Sequence, residues 1–370
     1  MKVKLKDVAS FSKGQQINGD DLLPSANYAY LNGGISPSGY WNEYNIPANS
    51  IAISEGGNSC GYVNYMQSPF WCGAHCYYLF DLKISNTKYL YYALKARQDD
   101  IMKLRSGACM PNIKKSDLGE FAFEFDFDDD HQTIVVDQLE RVERMIALRK
   151  QQLLKLDELV KSQFIEMFGT LSSNEQNFEV LTIEALCSLI KDGTQQTPTY
   201  TEDTINGFKF LSSKDVMTEK IDWSDIKYIP SDLHEKLYAV VKPIRNDILM
   251  SKNGVNYGVA AVNDTDEVFD IYVSLALLRP KTDIINPVYF RCAINNPDTK
   301  RQFDGSIKGI GVPNLHLGEI KKTQILVPPM DKQIEYVTLV EQIDKSKFEI
   351  QKSLEKLETL KKALMQKYFG

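Results

Sequence analysis

The chain has 370 residues, 43% of them hydrophobic and 25% charged, which is apolar material enough for two or three folded domains. No apolar run approaches the ~20 residues that a membrane-spanning helix needs, and the stretch Met1 to Asp7 lacks the apolar core of a signal peptide, so a soluble, cytoplasmic protein with no membrane contact is expected. A net charge of −6 weighs against a surface that neutralises phosphates everywhere, yet leaves room for a basic cleft on an acidic body.

In chain order, Val3 to Gly14 is a short patterned opening that ends on Lys13-Gly14. Ser50-Ile51-Ala52-Ile53-Ser54 reads as an apolar strand running into the turn Glu55-Gly56-Gly57. Cys60, Cys72, Cys76, Cys109, Cys187 and Cys292 are scattered as reduced thiols would be. Cys72, His75 and Cys76 lie close together, but without the usual paired zinc spacing, so buried small side chains are expected and no metal. Pro111-Asn112-Ile113 follows Gly107 and precedes Asp117-Leu118 and a strand-like run of alternating phenylalanines, Phe121 to Phe127.

A proline-free stretch without interior glycine then predicts a helix from about His131 to Phe168. Val135, Leu139, Val142, Ile146, Leu153, Leu156, Val160 and Met167 follow alternating steps of four and three residues, interrupted at Arg149 and Gln163. This is the 3.5-residue period of a coiled-coil seam.

The chain then repeats itself. Val180 to Gly193 resembles Val3 to Gly14, Asp247 to Gly254 lines up with Ser50 to Gly57, and Pro313-Asn314-Leu315 after Gly311 lines up with Pro111-Asn112-Ile113. A second helix is predicted from about Lys332 to Phe369, with Gln333 matching Gln132 and Phe369-Gly370 matching Phe168-Gly169. Its seam is Tyr336, Val340, Ile343, Ile350, Leu354, Leu357 and Leu364, interrupted at Lys347 and Lys361. Glu140/Arg144, Asp157/Lys161, Glu341/Lys345 and Glu358/Lys362 are spaced for pairing along the helix surface. At ~1.5 Å per residue each helix would reach roughly 55 Å.

The expected fold is mixed α/β: globular units over 1–128 and 172–330, each followed by a long helix, over 129–171 and 331–370. The two helices are expected to pair as an antiparallel coiled coil with pseudo-two-fold symmetry. An enzyme should show a constellation, and none stands out. There is no GxxxxGK[ST] loop, no HExxH and no GxSxG, and His75, His131, His234 and His316 lie far apart. The glycine-rich run Gly305 to Gly311 matches no nucleotide fingerprint.

Asn246 to Gly254, Pro313-Asn314-Leu315 and Ile325-Leu326-Val327-Pro328-Pro329 leading into the second helix, all within a duplicated order, resemble the specificity (S) subunits of Type I restriction–modification systems. Lys332 stands where that family commonly has Glu, and the first copy replaces the diproline with Phe127 and acidic residues. The resemblance implies two target recognition domains, each reading half of a bipartite target on double-stranded DNA, with the helices setting the gap. It implies docking of two modification (M) methyltransferase subunits, which bind S-adenosylmethionine, and of restriction (R) subunits, which use ATP. This chain would itself hold no cofactor and catalyse nothing.

Polar residues beside the matched glycines are candidate DNA contacts: Glu55, Asn58, Arg105 and Asn112 in the first unit, and Lys252, Asn253, Asn256, Tyr257, Lys308 and Asn314 in the second. Turn chemistry is the competing reading for each, and the better one for Asn112 and Asn314, which recur. Half-site readers need not match between copies. The unmatched stretches Asn32–Tyr44 and Asp215–Tyr228 therefore add Tyr40, Trp41, Trp223 and Lys227. A coiled-coil scaffold that binds only protein, and an enzyme of unrecognised motif, are the other readings of these residues.

Overall fold

In the computed structural model, which describes residues 1–107, 111–307 and 313–370, the Asp128 carboxylate accepts the backbone N–H groups of Asp130 and His131 at 3.0 and 3.1 Å. This satisfies two donors that a helix start leaves open and favours the positive end of its dipole. The first long helix accordingly spans Asp129–Phe168, two residues earlier than its apolar period suggests. Gly169, at φ +74°, takes the left-handed conformation that ends it. The second long helix spans Met330–Phe369 and starts directly after Pro328-Pro329.

Contacts group the chain into two units: Met1–Gln151 with Gln351–Gly370, and Gln152–Ile350. In the first unit the strands Ser10–Lys13, Cys76–Phe80, Ser50–Ser54 and Val63–Met66 lie side by side in that order, all antiparallel. Gly39–Trp41, Tyr28–Leu31 and Phe70–Cys72 make a second sheet, whose last pair is parallel. Lys2–Lys4 pairs with Ala122–Glu124. The second unit repeats every sheet. Cys187–Asp192, Leu275–Pro280, Ile248–Ser251 and Ala260–Val262 form the four-stranded one. Lys227–Ile229, Phe208–Leu211 and Phe269–Ile271 form the three-stranded one, and Glu179–Thr182 pairs with Gln324–Val327. Gly14 and Gly193 sit where the two sheets of each unit meet. A Cβ on Gly14 would fall on the Cys72 carbonyl, and one on Gly193 on the Ile271 carbonyl, which explains why both copies of the opening segment end in glycine.

The long helices run antiparallel within each unit. In the first, the Tyr368 hydroxyl donates to Gln138 at 2.8 Å, and Lys361 meets Glu143 at 2.8 Å and Lys150 meets Glu358 at 3.2 Å. In the second, the Tyr336 hydroxyl donates to the Val160 carbonyl at 2.9 Å, and Lys347 pairs with Asp157. Val135, Leu139, Val142, Val340, Ile343 and Leu354 are buried, while Ile146, Leu153, Leu156, Val160, Ile350, Leu357 and Leu364 are half-buried. The lysines that interrupt the second helix's period thus reach acids on the opposite helix. Glu140, Asp157 and Glu358, spaced for partners on their own helix, engage Lys88, Lys347 and Lys150 instead.

The helix ends are built into the globular cores. Phe164, Phe168, Tyr289 and Tyr336 form one cluster with centroids 5.1 to 6.3 Å apart. In the first unit, Tyr89 meets Phe369 at 5.1 Å. Burying each such ring contributes roughly 1.5–3 kcal/mol. Among the described residues no helix is long and apolar enough to cross a membrane.

Candidate nucleic-acid interface

Each four-stranded sheet delivers one loop from its buried third strand. Ser54 and Ser251, both fully buried, end those strands. Gly57 and Gly254 then take positive φ, +77° and +87°, and turn the chain. The next two contacts are the same in both units. The Gly57 N–H donates to the Pro111 carbonyl at 3.0 Å and that of Gly254 to Pro313 at 3.1 Å. Ile113 N–H donates to the Glu55 carbonyl at 2.9 Å and Leu315 N–H to that of Lys252 at 2.8 Å. The recurrent Pro-Asn-apolar motif is therefore a clamp on this loop, which places Asn112 and Asn314 beside it, exposed.

The side chains on these loops divide into two kinds. Glu55 and Lys252 point inward and are buried. Glu55 accepts from Lys13 at 2.7 Å and lies 3.5 Å from His75; Lys252 pairs with Asp192. Asn58, Arg105 and Asn112 are exposed around one loop cluster, and Asn253, Asn256 and Asn314 around the other. Tyr257 is half-buried, donates to Asp304 at 2.6 Å, and carries the Lys300 ammonium 3.2 Å from its ring centroid. That hydroxyl's bond to Asp304, with burial second, raises its pKa. Lys308 lies outside the described residues, as do Cys109 and Gly311.

The remaining candidates belong to the three-stranded sheets. Trp41 is half-buried on Gly39–Trp41, opposite Tyr28. Trp223 packs on Phe269 at 5.6 Å with the Lys209 ammonium 5.1 Å from its ring, so one face of the indole is core. Lys227 is exposed and sits 5.4 Å from the ring centroid of Tyr200, itself 47% exposed. A cation beside an open aromatic face suits both a phosphate and a base.

Two features escape sequence reasoning. Val255, next to Gly254 in the second loop, is an apolar side chain left 84% exposed; its sequence signal is its place inside Asn253-Gly254-Val255-Asn256. His234 and Asp270 form a buried pair at 2.6 Å, with the imidazole stacked on Phe208 at 3.6 Å. Burial raises the Asp270 pKa. Cys72 and Cys76 are buried in the core of the first unit, and the adjoining Cys76 thiol together with burial pushes Cys72 up. Among the described residues no group of three or more His, Cys, Asp or Glu is placed to hold a metal.

The fold is a tandem α/β repeat in which each unit presents one clamped polar loop and takes up part of two antiparallel long helices. The Type I restriction modification DNA specificity domain matches residues 1–158 and 175–362, and the chain belongs to that family. It is 39% identical over 119 residues to a protein of Mycoplasma pneumoniae named as a type I specificity subunit, covering 32% of each chain. It is 34% identical over 142 residues to one of Mycoplasma genitalium, covering 37% of each. The matched stretches thus span about a third of the length of these curated relatives. Across 100% of this chain, the fold is similar to the crystal structure of the Type I system S subunit from M. genitalium, with TM-score 0.62, 21% identity and 96% of that chain covered. A second type I system structure, described for complex assembly and conformational transition, gives TM-score 0.59 at 15% identity, with 97% of that chain covered.

Proposed function

We propose that this chain is the DNA specificity subunit of a Type I restriction–modification enzyme and that it acts in the cytoplasm. Residues 1–128 and 172–330 are two target recognition domains, each reading one half of a split target. Helical stretches 129–171 and 331–370 fix the gap between halves. The chain is non-catalytic; methyl transfer from S-adenosylmethionine and ATP-driven restriction belong to M and R subunits that dock on it.

The observation that carries this reading is the duplicated loop clamp. The same four backbone groups hold each loop, while the exposed side chains differ: Asn58 and Arg105 on one, Asn253, Val255 and Asn256 on the other. A constant frame with variable polar tips is what two readers of different half-sites require. Joining two weak readers in one chain makes the second binding event intramolecular, which raises affinity and selectivity together. Docking is supported by apolar side chains left exposed on the long helices: Ile134 and Leu148 in the first unit, Leu154 and Ile334 in the second.

The test is to express the chain with a methyltransferase partner and map methyladenine across the host genome. A split motif with a constant gap, lost when this chain is omitted, is the expected result. Methylation that continues unchanged without the chain, or a motif with no gap, would overturn the reading.

A further inference from the structure

Each unit has a groove at the same place, between the end of a short helix and the two long helices. In the first unit it is about 610 Å³ and in the second about 230 Å³. The correspondence holds residue by residue. Glu358, Lys362 and Met365 line the first groove where Asp157, Lys161 and Phe164 line the second. Lys95 and Ile146 stand where the second has Asn295 and Lys347.

The grooves differ in what covers them. In the second unit Met217 to Lys220 of the same chain form one wall. The Glu219 carbonyl accepts from Arg291 at 3.2 Å, and Lys220 pairs with Asp344 at 3.1 Å. Glu219 is held at φ +61°, a conformation that a non-glycine residue keeps only when its surroundings demand it. In the first unit the lining comes from residues 95–97, 146, 150 and 358–370, with no segment of that kind among the described residues. Glu143, the counterpart of Asp344, is already taken by Lys361 and by the Tyr92 hydroxyl, each at 2.8 Å.

The charges differ accordingly. The second groove balances Lys161, Lys220, Arg291 and Lys347 against Asp157, Glu219 and Asp344. The first sets Lys95, Arg97, Lys150, Lys361 and Lys362 against Glu358 alone, above an apolar floor of Met365 and Phe369. In a chain of net charge −6 this concentration of cations stands out.

We propose that the groove of the first unit is a docking site for a short segment of the methyltransferase partner that carries an acidic side chain next to an apolar one. The segment takes the place that Met217 to Lys220 fill in the second unit. Its acid meets Arg97 and Lys362, and its apolar side chain covers Met365 and Phe369. For the existence and identity of the partner this rests on the function proposed above; the location and chemistry come from the groove. The consequence is asymmetry, because one partner copy gains a contact that the other lacks.

The test is mass photometry of the purified full chain with its methyltransferase partner, comparing the natural sequence with the double variant Arg97→Glu/Lys362→Glu and with Lys161→Glu in the second groove. The natural chain should bind two partner copies. The double variant should hold one as before and bind the other at least about tenfold more weakly, with the loss deepening as salt is raised, while Lys161→Glu binds both. Lys362→Gln, which removes the charge without reversing it, should give a smaller loss, and unchanged thermal melting shows that each variant is folded. Two copies bound by the double variant within twofold of normal would overturn the proposal. So would unchanged assembly with weakened DNA binding, which would make the groove a nucleic-acid site. A natural chain that binds no partner at all would instead defeat the docking reading itself, and this inference with it.

Discussion

Lys13 donates to Glu55 at 2.7 Å in the first unit, and the second unit holds the same two positions as Asp192 and Lys252, with the charges exchanged. In each pair the buried member sits at the first residue of the clamped loop: Glu55 is 8% and Lys252 5% exposed. The partner sits one residue before Gly14 or Gly193, at the end of the sheet's first strand, with one strand between it and the strand that leads into the loop. The sign of the pair is thus free to vary while the pairing is kept. The pair anchors the loop without dictating the potential at the loop's exposed face.

This gives a double-mutant cycle. Lys13→Ala leaves the Glu55 carboxylate buried with His75 at 3.5 Å as its remaining ion-pair partner among the described residues, and should cost about 2 kcal/mol, less than a fully buried pair because Lys13 is itself half exposed. Lys13→Asp combined with Glu55→Lys copies the second unit's arrangement and should restore stability to within about 1 kcal/mol of the natural chain. Urea unfolding of Lys13→Ala, and of the natural chain, Lys13→Asp, Glu55→Lys and their combination as the four corners of the cycle, measures this. A double variant no more stable than the worse single one would show that the two positions are not interchangeable in sign.

That exchange also shows where sequence reading stops. The long helices, their seam and the loop positions were legible because each is a local pattern: a 3.5-residue period, or a strand ending in glycine. The inward turn of Glu55 and Lys252 was not, since a charged residue before glycine looks like any exposed turn, and its partner Lys13 lies 42 residues away. The matched glutamines are a similar case. Gln132 and Gln333 showed only as a register, yet both are buried at helix starts. Gln333 donates to the Pro328 and Ile284 carbonyls at 2.8 and 3.1 Å and accepts the Asn286 N–H at 2.8 Å, joining the long helix to the cap of a neighbouring one. Gln132 donates to the Asp126 carbonyl at 2.6 Å. Sheet order was likewise out of reach, because parallel pairs such as Ala29 with Phe70 depend on the whole unit closing.

Lys95 carries a pH dependence. Its ammonium is partly buried, bonded to the Val63 carbonyl and to Gln98 at 3.0 Å each, and burial, with Lys361 adding repulsion, lowers its pKa from 10.5 to about 8. The folded chain therefore holds this proton less tightly than the unfolded chain. The resulting stability is full above about pH 10.5 and is lost as pH falls through about 8. Lys95→Met should remove that slope and, after allowance for the solvent that reaches the group, leave the protein about 1 kcal/mol more stable than the natural chain at pH 7. Denaturation of both proteins between pH 7 and 10.5 decides it. Parallel pH curves would mean that Lys95 titrates alike in both states.

The helices as a spacer can be tested by length. Four residues inserted between Gln151 and Gln152 add about one turn, or ~6 Å, while nearly keeping the face that each residue presents. The methylated motif should keep both half-sites and change its gap by about 2 base pairs, at ~3.4 Å per base pair. Methylome mapping reads this directly. A folded variant that still methylates the original gap would remove the helices from that role.

The two loops should be separable in what they read. Asn58→Ala and Arg105→Ala remove exposed side chains from the first loop cluster and leave its clamp intact, as Asn253→Ala and Asn256→Ala do in the second. If a lost side chain contacts a base edge, discrimination at that base falls by about 1–3 kcal/mol, roughly fivefold to 150-fold. Each pair of variants should therefore relax one half-site and spare the other. Asn112→Ala and Asn314→Ala, which lie between the two clamping residues of each motif, are expected to change sequence preference little, because the clamp is made by the main-chain groups of their neighbours, which alanine leaves in place. Methylation of a randomised target library separates these outcomes. Variants of one loop that relax both halves equally, or neither, would place the readers elsewhere, with Trp41 and Lys227 on the three-stranded sheets the next positions to change.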